Sequence, residues 1–360
     1  MKSKSLFLDP AQNKASLINH DVLLNKKDVL IKWQVSCVCA SERRRFNLKK
    51  SHSDFKEFIA GHESVGTTDG KNLFVLLPHS NCITRNEKVI CPSCEEGKYN
   101  LCRCMNHAGL CSTEPGGLSE LTYVPQKQLL RIKNLAPNLA VFTEPLSCVL
   151  RSWKKVQSSK KDRIAIVGLG PIGCLHYVYS SILYPDSEFF LFEENLERIE
   201  AFKKIFKESN YTVNPKKCEV DISVMANSTS NGFEKAKKYV KKNGILILFS
   251  GFNDISYKSK DFFPEYIHRE EFNFFNDEIF YYGSSGYTHE DLNDSVETLK
   301  NNHIFKKIIT GSVYGLDSKK IHSHYSEDEF FDEPVLIKDI KSELPHHIKI
   351  QYYPNNTIET

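Results

Sequence analysis

The succession of patterns along this chain predicts an α/β protein built on a doubly wound parallel sheet. Three observations carry the prediction. Ile164-Ala165-Ile166-Val167 is a short, β-branched run of the kind that forms a strand buried on both faces. It leads into Gly168-Leu169-Gly170-Pro171-Ile172-Gly173, a glycine turn that opens a helix. Apolar strands then keep alternating with helical stretches: Glu188–Phe192, Asp221–Met225 and Gly244–Gly251, the last two separated by a lysine-rich helix over Gly232–Lys242 whose lysines read as a solvated face.

Each residue of the turn has a physical task. Gly168 makes the tight bend, Gly170 lets backbone N–H groups approach a pyrophosphate, and Gly173 lets the helix pack close on its strand. Pro171 stands in the first helical turn, where its missing N–H is harmless. The second strand ends in Glu193, twenty residues beyond Gly173. An acid there accepts ribose hydroxyls and repels a 2′-phosphate, so the unit reads as a dinucleotide site for NAD rather than NADP.

A length of 360 residues allows about two domains. The net charge of +3 comes from interspersed residues of both signs, which argues against a nucleic-acid or membrane partner. The apolar run near the N-terminus stops after Leu6-Phe7-Leu8, so neither a signal peptide nor a membrane span is expected. Six of the eleven cysteines (Cys82, Cys91, Cys94, Cys102, Cys104, Cys111) fall within thirty residues. In a cytoplasmic protein, such clustering points to metal thiolates rather than disulfides.

Residues 1 to 35 read as short strands and turns, with a half-buried strand over Asp28–Trp33. Cys39 and His62 would each pass alone for a core residue, yet together they can meet at one zinc with an open position. Cys82, Cys91, Cys94 and Cys102 are the best four ligands for a closed structural zinc, with Cys104 a rival for the last place. Glu144, before Pro145, is either a carboxylate favoured by a helix start or an oxygen ligand for the metal. A charged amphipathic helix is expected over Thr288–Lys300, and the acidic piece Ser326–Glu333 reads as a surface helix.

Gly61-His62-Glu63, the cysteine cluster, Gly117 with Glu120, Glu144-Pro145-Leu146, the Gly168–Gly173 turn and Gly283-Ser284-Ser285-Gly286-Tyr287 follow one another as in the zinc-containing medium-chain alcohol and polyol dehydrogenases. The chain resembles that family, in its sorbitol and threonine dehydrogenase branch, over nearly its whole length. The resemblance implies a GroES-like β-barrel catalytic domain from residues 1–147 and 288–360, with a structural zinc loop at about 78–111. A Rossmann NAD-binding domain would occupy 148–287. It also implies that Cys39, His62 and Glu144 hold a catalytic zinc, that Glu63 enters or tunes that shell, and that Ser41 passes the substrate proton outward. Ile172 and Arg198 would line the cofactor site beside Glu193. This chain reads Cys39-Ala40-Ser41-Glu42 where the family pattern is Cys-Gly-Ser/Thr-Asp, and Cys82 is farther from Cys91 than usual.

The resemblance further implies a cytoplasmic dimer or tetramer that moves a hydride between NAD and a secondary alcohol or polyol, with Zn²⁺ as Lewis acid. One alternative is a polyol-phosphate dehydrogenase of the ribitol- or ribulose-phosphate kind. In that case Arg43 and Arg44, just after Ser41, would meet the substrate phosphate. Another is a non-catalytic protein that binds zinc and a nucleotide.

Overall fold

The computed structural model describes residues 1–22, 28–47, 57–110, 114–154, 156, 163–207, 209–249, 272–284 and 286–355. Cys111, Ser285 and the Ser250-Gly251 end of an expected strand lie outside them. The chain divides into two compact units, Met1–Glu144 with Val296–Thr360, and Pro145–Ser295.

In the Pro145–Ser295 unit, seven strands form one sheet in the order Tyr211–Val213, Glu188–Phe192, Arg163–Val167, Val220–Met225, Val240–Leu248, Ile279–Gly283 and Phe272–Asn276. The first six run parallel and the last is antiparallel to its neighbour. In chain order the parallel set reads 3-2-1-4-5-6, the doubly wound arrangement whose switch point lies beside its first strand. Ile164 to Val167 pair with Phe189 to Phe192 on one side and with Ile222 to Met225 on the other. The run is uniformly apolar because neither face of this strand meets water. The Pro171–Leu183 helix packs through Tyr177, which lies edge-on to Phe189, Phe202, Phe206 and Tyr211. Such aromatic pairs add roughly 0.5–1.5 kcal/mol each beyond the area they bury.

In the unit made from both chain ends, a nine-stranded sheet runs from Leu129–Ile132 through Leu73–Leu76, Glu63–Thr67, Asp28–Cys37, Lys349–Tyr353, Ile309–Tyr314 and Lys320–Ser323 to Glu329–Phe330. Leu121–Pro125 pairs with Asp28–Cys37. The C-terminal strand joins it antiparallel, with Gln351 opposite Cys37 and Tyr352 opposite Ser36. Trp33 is fully buried, and its indole N–H donates to Thr122 Oγ1 at 2.8 Å, which satisfies its one polar atom. A smaller sheet joins Lys14–Asp21, Lys2–Asp9 and Phe58–Ile59.

Three local expectations change. The acidic Ser326–Glu333 piece is not a helix; it carries the short Glu329–Phe330 strand, paired antiparallel with Lys320–Ser323. A helix there would stack Asp328 on Asp332 and Glu329 on Glu333, like charges four residues apart. As a strand, the piece sets Asp328 against Lys320 and His322 instead. The lysine-rich helix is shorter, Ser230–Lys238, started by a Thr229 side chain that accepts from Gly232 N–H at 3.0 Å. The strand after it begins at Val240. A helix over Ala40–Asn47, unforeseen in the sequence, carries Ser41 to Arg45.

Candidate functional site

Gly61 holds φ at +108°, and a Cβ there would lie 2.2 Å from Leu118 N. Only glycine lets this bend press against the Gly117–Leu118 backbone. The bend delivers His62 and Glu63 to the start of the Glu63–Thr67 strand, facing Cys39 at the head of the Ala40–Asn47 helix. The candidate ligand atoms of Cys39, His62 and Glu63 all lie within 4.8 Å of one another.

Glu42 organises this group, and it was not singled out from the sequence. It is fully buried, and its Oε1 accepts from Gly61 N at 2.7 Å and His62 N at 2.9 Å. The same oxygen faces His62 Nδ1 at 3.0 Å, while Oε2 accepts from Cys39 N at 2.8 Å. Burial opposes ionisation of Glu42, but His62 and these N–H donors outweigh it and hold the carboxyl below its ordinary range. An ionised carboxylate only accepts, so Nδ1 carries a proton and Nε2 is the nitrogen turned toward Ser41 Oγ, 3.5 Å away. Burial likewise opposes an imidazolium at His62, yet Glu42 and Cys39 raise it well above its ordinary value. A ligating histidine clamped through its other nitrogen by a carboxylate is the arrangement that orients imidazole toward a metal.

The two carboxylates expected at this centre behave differently. Glu63 Oε2 is paired with the ammonium of Lys349, and both side chains are buried. Burial alone would lower the Lys349 ammonium, but Glu63 and Cys37 hold it above the usual lysine range. Glu144 is buried in the first turn of the Thr143–Lys154 helix, outside the 4.8 Å group of Cys39, His62 and Glu63. Arg43, expected to meet a substrate phosphate, is instead paired with Asp339, which also accepts from Tyr352 Oη at 2.8 Å. A guanidinium already matched to a buried carboxylate is poorly placed to take a second anion. Arg44 follows it on the same helix, half-buried.

The second cluster gathers Cys82, Cys91, Cys94 and Cys102, all buried. Sγ of Cys102 lies 3.5 Å from that of Cys82 and 3.8 Å from that of Cys91. A tetrahedral zinc with bonds of ~2.3 Å sets its sulfurs roughly 3.8 Å apart, whereas disulfide sulfurs sit about 2.05 Å apart. Burial opposes ionisation of Cys91, but backbone N–H groups of Cys94 and Arg103 bring its thiol down to about 6. Cys104 is exposed and outside the four. The donor set therefore fits a thiolate-bound zinc.

In the other unit, Gly168 has φ at +101° and its N–H donates to Phe192 O at 2.8 Å. A Cβ on Gly173 would fall 1.8 Å from Gly168 O, so the helix can lie this close only on a bare glycine. A Cβ on Gly170 would meet nothing within 4 Å, which leaves that side of the turn open for a ligand. Pro171 and Ile172, both partly exposed, form its rim. Glu193 Oε2 accepts from Leu169 N at 2.9 Å and Arg198 Nη1 at 3.1 Å; Oε1 accepts from Asn195 N at 3.0 Å. Burial opposes the charge on Glu193, but the Asn195 N–H and Arg198 outweigh it and keep the acid ionised. The turn and the acid are thus joined directly, as a dinucleotide cradle with an anionic ribose end requires.

A doubly wound parallel unit and a β unit that gathers thiol, imidazole and carboxylate, carried on one chain, define the class of two-domain, metal-site α/β proteins with a nucleotide cradle. Residues 25–134 match the alcohol dehydrogenase GroES-like domain family. The chain is 30% identical over 87 residues to erythritol/L-threitol dehydrogenase of Mycolicibacterium smegmatis, covering 23% of this chain and 24% of that one. It is 25% identical over 178 residues to D-arabinitol dehydrogenase 1 of Uromyces fabae, covering 44% and 46%. The matched stretches thus span less than half the length of these curated relatives. Among solved structures, L-idonate 5-dehydrogenase of Escherichia coli superposes with a TM-score of 0.72 at 16% identity, over 98% of both chains. That likeness shows the shared fold. Over residues 25–134 the chain therefore carries an alcohol dehydrogenase GroES-like domain.

Proposed function

We propose that this protein is a zinc-dependent dehydrogenase that moves a hydride between NAD(H) and a secondary alcohol of a polyol, or its ketone. The observation that carries the reading is the convergence of Cys39 and His62 with Glu42 clamped behind the imidazole. Zinc bound there supplies Lewis-acid chemistry, the effect that lowers the pKa of a bound water from ~15.7 to about 7. Cys39 and His62 hold the metal, and a carboxylate, Glu144 or Glu63, completes the protein's share of the shell. Ser41 Oγ, on the Nε2 side of His62, takes the substrate hydroxyl proton and passes it outward. Gly168, Gly170, Pro171, Ile172 and Gly173 cradle the pyrophosphate, and Glu193 with Arg198 orders the adenosine ribose. Cys82, Cys91, Cys94 and Cys102 hold a second, structural zinc.

The polyol reading is supported by the relatives, which are named for erythritol, threitol and arabinitol. The phosphorylated alternative loses its main support with Arg43 engaged by Asp339. Ten described cysteines are free, which supports a reducing compartment such as the cytoplasm. The family likeness supports a dimer or tetramer.

A panel of polyols and their phosphates with NAD⁺ and NADP⁺, followed at the NADH absorbance, tests the reading. Wild type should reduce NAD⁺ with an unphosphorylated polyol. Cys39→Ser should lose that activity together with one equivalent of zinc. Unchanged turnover in Cys39→Ser would remove the catalytic assignment.

A further inference from the structure

We propose that Glu329, His346 and His347 form an additional divalent-cation site, one suited to zinc, on the unit built from both chain ends. None of its ligands is a sulfur, and none belongs to the Cys39 or Cys82 groups.

The fold brings these residues together from separate strands. Glu329 lies on the Glu329–Phe330 strand, which pairs with Lys320–Ser323, which pairs in turn with Ile309–Tyr314. Ile309–Tyr314 runs parallel to Lys349–Tyr353, and His346 and His347 lie just ahead of that strand, with Ile348 between. The carboxylate of Glu329 therefore stands between two imidazoles, with Oε2 2.9 Å from His346 Nε2 and Oε1 3.0 Å from His347 Nε2. The candidate ligand atoms of all three residues lie within 4.8 Å of one another. The His347 side chain is 3% exposed, while those of His346 and Glu329 are 39% and 27% exposed. A buried wall faces an open side, so protein supplies three ligands and water can supply the rest.

The arrangement at Thr310 is compatible with a His347 that offers Nε2 to a cation. The Thr310 hydroxyl donates to Lys349 O at 3.2 Å, and its oxygen accepts from Lys349 N at 3.3 Å. One lone pair of that oxygen is left for the proton on His347 Nδ1, 3.2 Å away. The Nε2 of a neutral His347 then presents its own lone pair to Glu329 Oε1, two electron-pair donors 3.0 Å apart. A cation shared between them satisfies both. The ring is also held in place: a Cβ on Gly311 would come within 3.2 Å of His347 Cε1, so the imidazole sits against bare backbone. Thr310 and Gly311 thus do for His347 what an outer shell does for a metal ligand, fixing its orientation. Two imidazoles and one carboxylate with open positions are a borderline N/O donor set that suits zinc, cobalt or nickel better than magnesium or calcium.

The proposal is independent of the reaction assigned above and is tested on the full chain. The purified protein, stripped of metal by chelator and dialysed, is titrated with Co²⁺ and followed by visible absorption, alongside Glu329→Gln/His346→Asn. Wild type should take up one more equivalent than the double variant. That equivalent should carry only weak d–d bands, without the intense sulfur-to-cobalt charge transfer of thiolate sites. Equal uptake by the two proteins, an extra equivalent with thiolate character, or an extra equivalent bound less than tenfold more tightly than to the double variant would each overturn the site. Both substituted residues are partly exposed. If the double variant does not fold, Glu329→Gln alone serves, and undiminished uptake in that single variant overturns the proposal equally.

Discussion

At the scale of single residues, the metal centre depends on a side chain that touches no metal in the proposed scheme. Glu42 accepts four close contacts from the two segments that carry Cys39 and His62, so it sets their separation and the tautomer of the imidazole together. Glu42→Gln keeps the shape but replaces one accepting oxygen with an NH2 that must face either the Cys39 N–H or the N–H groups of Gly61 and His62. Zinc affinity at this centre, measured by competition with a chelator, should fall by about 10–100-fold, with recovery toward wild type in Glu42→Asp. The signal for Glu42 was present in the sequence as an acid three residues after Cys39, but that position looked only like a departure from the family pattern. Lys349 left no local signal, because its partner Glu63 is 286 residues away and only the sheet joins them.

A second residue gives the molecule a pH dependence. His176 is fully buried, its Nδ1 accepts from Trp153 Nε1 at 3.0 Å, and burial lowers it from 6.5 to about 3. Between these values the unfolded chain binds a proton that the folded chain refuses, so stability falls as pH drops from 6.5 toward 3. The slope from this one group is about 1.4 kcal/mol per pH unit. Urea unfolding at pH 7 and pH 5 should show a smaller loss in His176→Phe than in wild type. An equal loss in both proteins would mean that this ring does not carry the effect.

At the scale of elements, the glycine turn separates fold from binding. Gly173→Ala forces a methyl against Gly168 O, so it should lower the melting temperature and weaken NADH binding together. Gly170 has ordinary dihedrals, φ −67° and ψ −176°, and open space around it. Gly170→Ala should therefore leave the melting temperature nearly unchanged and still weaken NADH by about tenfold or more, because the methyl occupies the approach to the pyrophosphate. Calorimetry and NADH fluorescence on the two variants check this contrast. The turn was legible because glycine spacing records backbone conformation directly. The Glu329–Phe330 strand within the acidic Ser326–Glu333 piece was not, because the state of that piece depends on Lys320 and His322 of a neighbouring strand rather than on its own composition. The Ala40–Asn47 helix was hidden for a similar reason: its three consecutive arginines interrupt any apolar helical stripe, whereas Arg43 is anchored by Asp339.

At the scale of the whole molecule, much of the architecture could be read in advance. Uniform apolar runs marked the central strands of the parallel sheet, and the cysteine spacing marked the thiolate cluster. The long-range closure was less legible: the C-terminal strand pairs with Asp28–Cys37, and nothing in either segment names the other. That closure places Lys349 beside Glu63, and the pairings on the strand's other side bring Glu329 to His347, so the family resemblance alone would not have revealed either pair.

The central claim is that Cys39 and His62 grip a metal ion that makes an alcohol reactive. Anomalous diffraction at the zinc edge, on crystals of the zinc-loaded protein, tests it most directly. The account predicts a peak about 2.3 Å from Cys39 Sγ and about 2.0–2.1 Å from His62 Nε2, separate from the peak among the four clustered cysteines. A peak at the cysteine cluster with none between Cys39 and His62 would contradict it.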